Sequence, residues 1–330
     1  MRVPAPPPFE TRRPTVSIGM PVYNGGDGLE TALDSLLAQS YGDFEVIISD
    51  NASTDGTEDI CRRFTRLDRR VRYIRNDKNV GVARNYNRLF ELSDGRYFKW
   101  APHDDRLSPE FLARCVEVLD TDAGVAIVVP VPRLIDDEGR ADDFELRHRE
   151  SMAERGLRHV DIDNPRRLAH DNPSARFSDI VLRKVWFYEL YGLIRADLLG
   201  RTGLLRLFHG SCQVLLAELA LLGTIRQLPD ELMFMRYPTF KILDAKRDMA
   251  LKMDPEWSGR IFFPEVKVAT EWLRAVSRSG LGPTEKLRCA ASVGRKVARP
   301  DNLGKLLLPG PNNYLGINLS RRRQPTLKRR

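Results

Sequence analysis

The sequence predicts an α/β protein with a doubly wound, mostly parallel sheet, helices on both faces, and a helical C-terminal region. Three observations predict it. Strand-like and helix-like segments alternate five times between residues 16 and 130. The strands read as continuous apolar runs, such as VSIGM and GVAIVVP, the pattern of strands covered on both faces. Polar, turn-forming clusters follow the strands, where sheets of this kind bind ligands beyond their carboxyl ends.

Residues 1–14 hold five prolines and no apolar period, so they read as an extended, disordered leader. VSIGM, starting at Val16, is the first strand. After the loop PVYNGGDG, Leu29, Leu33, Leu36 and Leu37 make a helical stripe. The strand EVIISD runs into NASTDGT, a cluster of turn and cap residues, and then into a helix striped by Ile60, Cys61, Phe64 and Leu67. The strand VRYI precedes a helix bearing Val82, Tyr86, Leu89 and Phe90. Asp94-Gly95 marks a turn into the strand RYFKW, which ends at APHDD. Ser108 and Pro109 suit the cap and first position of a helix carrying Phe111, Leu112, Cys115, Val116 and Leu119, and GVAIVVP closes the series. Residues 131–180 are charged and without period, and read as long loops or short helices. Order resumes at WFYELYGLIR, continues in the apolar helix HGSCQVLLAELALLG and the strand ELMFMRY, and ends in helices near 264–279 and 283–297.

Composition excludes several classes. No apolar run approaches the roughly 18 residues of a membrane span, and the start lacks the apolar segment of a secretion signal. A cytoplasmic location is therefore expected, with peripheral contact at the inner face of the membrane. Cys61, Cys115, Cys212 and Cys289 form no CxxC pair, which argues against a zinc site or a disulfide framework. The formal charge of +8 includes the tail RRRQPTLKRR, residues 321–330. Such a tail is either solvated or drawn to anionic phosphate groups. Because it follows the apolar KLLLPGPNNYLG, an anionic membrane is the expected partner. Nucleic acid is not expected, since the cations are not interleaved with aromatics. No GxGxxG follows the first strand and no GxxxxGK[ST] occurs, so neither a dinucleotide-dependent oxidoreductase nor a P-loop enzyme is indicated.

The polar clusters carry the chemistry. Asp104 and Asp105 end an aromatic strand, and adjacent carboxylates repel unless a cation neutralises them. Mg2+ or Mn2+ prefers such oxygens and shares them with substrate phosphates. The pair reads as a metal and diphosphate clamp, or as an acidic turn ahead of the next helix. Asp50 and Asn51 open a well-capped turn and offer acceptors and donors suited to a nucleoside. Tyr23 suits base stacking, and Asn24 suits holding its loop.

In this order VSIGMPVYN, LLAQSYGDFEVIISDNASTDGT, NVGVARNYN and DGRYFKWAPHDDRLSPEFL resemble the family 2 glycosyltransferases, which have the GT-A fold. The resemblance covers nearly all of residues 15–130. It implies a GT-A-like domain over 15–240, with a nucleotide-sugar half at 15–130 and an acceptor half at 131–240, then a helical region at 241–320 and the basic tail. It implies that Pro21, Tyr23, Asp50 and Asn51 hold the nucleoside, that Asn79, Gly81 and Arg84 serve the donor with Arg84 meeting its charge, and that Asp104 and Asp105 bind metal and ribose-diphosphate. It further implies a metal-dependent, inverting transfer of a hexosyl or deoxyhexosyl group from a nucleoside-diphosphate sugar to a glycan, lipid-linked or polysaccharide acceptor at the cell surface.

Three departures from the family pattern stand out. Asn51 stands where a second aspartate is usual, Pro102 where another metal-motif aspartate is usual, and Cys212 with Gln213 where the catalytic base is expected. His103 reads as a loop residue or a further metal ligand. Glu218, six residues beyond Cys212, falls about 240° around the helix and is expected to face elsewhere. His209 is the nearest substitute base. The alternative reading is a nucleotide-sugar-binding relative that has lost catalysis.

Overall fold

The computed structural model describes residues 13–26, 28–136, 138–141, 167–182, 188–236, 252–256 and 264–299. Most of the expected leader, the charged stretch 142–166 and the basic tail lie outside the described residues.

The first half alternates as its sequence pattern requires. The strands β1 (Val16–Val22), β2 (Phe44–Asp50) and β3 (Val71–Arg75) alternate with the helices α1 (Gly28–Leu37), α2 (Thr57–Leu67) and α3 (Val82–Glu91). β4 (Tyr97–Trp100), the two-residue β5 (Arg106–Leu107), α4 (Phe111–Thr121) and β6 (Val125–Ile135) follow. β1 and β2 are buried at every position, which accounts for their unbroken apolar sequences. β3 is only partly buried because it is the edge of the sheet.

In the second half α5 (Pro173–Leu182) leads to β7 (Leu193–Arg195), α6 (Ala196–Leu199), α7 (Ser211–Leu222) and β8 (Thr224–Arg236). The helices α8 (Pro264–Arg278) and α9 (Pro283–Val297) complete the expected helical C-terminal region. α7 is apolar on nearly all sides because it is enclosed, with α5 and α8 packed against it and α9 closing onto both. No helix among the described residues is long and apolar enough to cross a membrane.

One eight-stranded sheet runs in the order β3-β2-β1-β4-β7-β6-β8-β5. β1 is parallel to β2 and β4, β2 to β3, and β6 to β8, whereas β7 is antiparallel to β4 and β6, and β5 to β8. The sheet is therefore parallel across its first half and mixed beyond β4. Val22 lies beside Asp50 and Asp50 beside Arg75, so the first three strands end flush.

Ser108 and Pro109 do not cap α4. That helix starts at Phe111 with no side-chain cap bond. Ser108 is engaged elsewhere: its amide donates to the Leu232 carbonyl at 3.0 Å, continuing the β5–β8 pairing, and its carbonyl accepts Gln39 Nε2 at 2.8 Å. Backbone bonds at a sheet edge outcompete a single side-chain cap.

Candidate functional site

Loops leaving the flush strand ends are strapped together. Asn24 takes a left-handed conformation, φ +51°, which asparagine tolerates. Its Oδ1 accepts the Thr54 amide at 2.8 Å, and its own amide donates to Ser53 Oγ at 2.9 Å. Gly25 N donates to Thr57 Oγ1 at 2.8 Å. These bonds hold the loop after β1 against the loop after β2. Pro21, one residue before the end of β1, lies beside Ser49, and Tyr23, just beyond the strand, is 47% exposed.

Asp50 is fully buried and its oxygens are fully used. Oδ1 accepts Ser53 N at 2.8 Å and Ser53 Oγ at 2.6 Å, while Oδ2 accepts Tyr73 Oη at 2.7 Å and Arg75 Nη1 at 2.6 Å. Burial alone would push this carboxyl up, but the bonds from Ser53, Tyr73 and Arg75 outweigh it and hold Asp50 below the usual carboxylate range. A ligand would reach Asp50 only by displacing one of these donors. Its direct work in the structure is to fix the loop and to hold the Arg75 guanidinium, which also donates to the Ser53 carbonyl at 2.7 Å. Sequence reasoning missed Tyr73 and Arg75, although alternate residues of VRYIR share the face beside Asp50.

Asn51 belongs to a buried amide network. Its Oδ1 accepts Val80 N at 2.9 Å and Asn76 Nδ2 at 3.1 Å, and its Nδ2 donates to Asn79 Oδ1 at 2.8 Å. Asn79 Oδ1 also accepts Gly81 N at 2.9 Å. Two backbone N–H groups therefore fix the orientation of both amides, since a main-chain donor cannot reverse. A carboxylate at position 51 would face the Asn79 oxygen with no proton between them, which explains Asn51 where the family pattern has aspartate. Asn76 and Asn85, also missed from sequence, extend the network at 3.0 Å, and Ser49 Oγ donates to Asn85 at 2.7 Å.

Segment 252–256 covers this loop. Gly81 has φ +88°, and a Cβ there would come within 2.6 Å of the Met253 carbonyl. Arg84 Nη1 pairs with Asp254 Oδ1 at 3.0 Å, and Lys78 Nζ with Glu256 Oε1 at 2.8 Å. The charge of Arg84, expected to meet the donor, thus has a protein counter-ion.

The two aspartates lie at the exit of β4. Ala101 N donates to the Gly19 carbonyl at 2.9 Å, and Pro102, His103, Asp104 and Asp105 then turn, half-buried. Gly28, the first residue of α1, packs on this turn: a Cβ there would stand 3.1 Å from Asp104 Cα. The missing side chain lets the helix N-terminus, with its partial positive charge, sit against Asp104. Asp105 Oδ1 accepts Arg236 N at 3.0 Å, whereas Oδ2 is buried without a hydrogen-bond partner. Burial, and then the neighbouring Asp104 charge, push the Asp105 carboxyl up to about 7. Lys99 lines the same small pocket; burial lowers its ammonium to about 8, and it donates to the Tyr191 carbonyl.

These residues fit a hard divalent cation. An orphaned buried carboxylate oxygen beside a second carboxylate is the donor set such an ion satisfies. Among the described residues no three His, Cys, Asp or Glu side chains gather as metal ligands. Two protein carboxylates suit an ion that keeps water and shares substrate phosphate oxygens.

The acceptor-side residues are disposed differently. Cys212, in the first turn of α7, is half-buried, and burial pushes its thiol up to about 11. It is protonated at neutral pH. Tyr191 feels both Cys212 and Asp105: its phenol is raised well above the ordinary range by Tyr86 first, then by burial, Asp105 and Cys212. Glu218 is committed elsewhere, accepting Arg206 Nη2 at 2.6 Å and Gly203 N at 3.1 Å. Arg206 also reaches Glu271 at 3.4 Å, tying α7 to α8. His209 is exposed two residues before α7.

Residues 17–178 match the model of Glycosyl transferase family 2. The chain is 35% identical over 107 residues to TuaG of Bacillus subtilis (strain 168), named as a teichuronic acid biosynthesis glycosyltransferase, a match covering 32% of this chain and 42% of that protein. It is 35% identical over 128 residues to chondroitin synthase of Escherichia coli, covering 39% of this chain and 18% of that one. The chain therefore spans less than half the length of these relatives. Among solved structures it resembles S. aureus TarS 1–349 in complex with UDP-GlcNAc, with a TM-score of 0.59 and 15% identity over 88% of this chain and 78% of that one. It also resembles the mannosyltransferase PcManGT of Pyrobaculum calidifontis in complex with GDP-Man and Mn2+, with a TM-score of 0.52 and 18% identity over 88% and 76% of the two chains. These likenesses give the fold as GT-A-like. With its four ordered motifs set on one sheet edge, the chain carries a glycosyl transferase family 2 segment over residues 17–178.

Proposed function

We propose that the chain transfers a sugar from a nucleoside-diphosphate sugar to a glycan, lipid-linked or polysaccharide acceptor, by a metal-dependent displacement that inverts the anomeric carbon. One observation carries this reading: the partnerless buried Oδ2 of Asp105 stands beside Asp104 at a strand exit, against a helix N-terminus. The UDP-GlcNAc and the GDP-Man with Mn2+ in the two solved relatives support the donor class and a divalent ion.

Asp104 and Asp105 would hold Mg2+ or Mn2+, which supplies charge to offset the diphosphate as it leaves. The N-terminus of α1 adds a fixed partial positive charge on the same side. Exposed Tyr23 offers a face for a nucleobase, and the amide network around Asn51 holds the wall beside it. Asp50 acts through Arg75, which it anchors at 2.6 Å. The proton leaving the acceptor hydroxyl is assigned to His209, the exposed imidazole two residues before α7, since the Cys212 thiol is held protonated. Attack from the face opposite the leaving group inverts the carbon in one step and needs no covalent intermediate.

A second reading, a donor-binding relative without transfer, is favoured by the protonated Cys212 thiol at the position of the base. Substituting Cys212→Asp separates the two. A large gain in transfer over an inactive unaltered chain supports the degenerate reading, and full transfer by the unaltered chain, matched or lost in the variant, supports the active enzyme. Donor binding itself is tested by thermal shift with nucleoside diphosphates. Stabilisation that requires Mn2+ is expected, and an unchanged melting temperature with every diphosphate refutes the reading.

A further inference from the structure

Charge is distributed unevenly along the chain. Residues 264–330 carry 15 Lys and Arg against four Asp and Glu, a net +11, so the first 263 residues carry −3 of the total +8. Of this excess α8, α9 and Arg299 carry a net +5, and the residues beyond carry the rest. Lys267, Arg274, Arg278, Arg288 and Arg295 are exposed on the two helices, and Arg299 follows just beyond α9. No acidic residue of either helix is exposed: Glu271 is buried beneath Lys267 and Arg274, and Glu265 and Glu285 are half-buried.

Apolar side chains stand among these cations. Val266 is 43%, Leu273 44% and Leu287 71% exposed. Val266 and Leu273 are seven residues apart on one face of α8. The two helices form a hairpin, and Lys286 Nζ donates to the Ser277 carbonyl at 2.9 Å, which sets the Arg278 end of α8 beside Leu287 and Arg288. Arg278, Leu287 and Arg288 thus share one end of the hairpin. On its other flank α8 supports the acceptor-side helix, with Trp272 Nε1 donating to the Gln213 carbonyl at 3.4 Å.

We infer that α8 and α9 form a docking face for an anionic lipid bilayer. Charge complementarity selects an anionic partner, and the exposed leucines select lipid over a soluble polyanion, which has no use for them. A single-stranded nucleic acid would want exposed aromatics between the cations, and the one aromatic of these helices, Trp272, is buried. The sequence after α9 adds Leu306, Leu307, Leu308 and seven more Lys and Arg against one Asp, so its composition suits the same surface. The inference is independent of the donor-site reading.

Flotation of the full chain with phosphatidylcholine vesicles, with and without phosphatidylglycerol, tests it. The chain is expected to float with the anionic vesicles alone and to be released by salt. Removing three surface cations in Arg278→Ala/Arg288→Ala/Arg295→Ala is expected to weaken binding about fivefold for each, roughly a hundredfold in all. The corresponding triple lysine variant should bind as the unaltered chain does. Leu273→Asn/Leu287→Asn should weaken binding with all charges in place. The inference is overturned if anionic vesicles are not bound, if the triple alanine variant binds normally, which assigns binding to the tail, or if the leucine variant does, which assigns the face to a soluble polyanion. Circular dichroism of each variant confirms that these exposed substitutions leave the fold intact.

Discussion

Asn51→Asp restores the residue usual in the family, yet it should destabilise this chain. Asn51 Nδ2 donates to Asn79 Oδ1 at 2.8 Å, and that oxygen is fixed by Gly81 N at 2.9 Å. The substitution removes one hydrogen bond, worth about 1 kcal/mol, and sets a desolvated carboxylate oxygen against an acceptor, at a cost of about 1–3 kcal/mol. A loss of about 2–4 kcal/mol is expected near pH 8. The effect depends on pH in a defined direction. The new carboxyl, buried beside Asp50, has a folded pKa raised above its unfolded value of about 3.9. Its protonated form can donate to Asn79, so native stability is nearly intact below about pH 4 and is lost as pH rises through the raised value. Urea unfolding of both proteins at pH 5 and pH 8 measures this. Equal stability at pH 8, or a gap that narrows as pH rises, would refute the amide-network reasoning.

The Asp105 carboxyl, raised to about 7, should make the metal-free protein lose stability as pH rises from about 4 through 7; Asp105→Asn or saturating Mn2+ should flatten that slope in thermal melts. Gly81→Ala should cost about 1–2 kcal/mol from the left-handed backbone alone, and more from the Met253 clash. In limited proteolysis it should also speed cleavage within 252–256, and an unchanged rate would show that this segment does not rest on Gly81. Asp254→Asn should release Arg84 from its ion pair and tighten nucleoside-diphosphate binding up to about fivefold. Unchanged affinity in titration would leave Arg84 without a donor role.

Elements were legible where periodicity was strong. VSIGM, EVIISD and GVAIVVP became fully or nearly fully buried strands, and the stripes of α1 to α4 face the core except at Leu67, 69% exposed at the end of α2, and Val82, 38% exposed at the start of α3. β5 was not legible, because two residues show no period; β8 pairs it to the sheet, and that pairing also draws Ser108 away from capping α4. The site was legible as a place more than as a set of roles. Strand exits located Tyr23, Asp50, Asn51 and the aspartate pair, but saturation of Asp50 depends on Tyr73 and Arg75, more than twenty residues later. The counter-ion of Arg84 lies 170 residues away, and no local pattern announces it. The reason for Asn51 became visible only once the Gly81 amide fixed Asn79. Glu218, dismissed on helical geometry, is held by Arg206.

The most direct measurement of the metal and diphosphate site is calorimetric titration of the chain and of Asp105→Asn with a nucleoside diphosphate, each with and without Mn2+. Asparagine keeps the bond to Arg236 N and removes only the charge at the orphaned oxygen. Binding that requires Mn2+ in the unaltered chain and falls at least about tenfold in the variant is expected, since losing one carboxylate ligand should cost at least about 1.4 kcal/mol. Binding of equal strength without Mn2+, or undiminished in Asp105→Asn, would contradict the assignment.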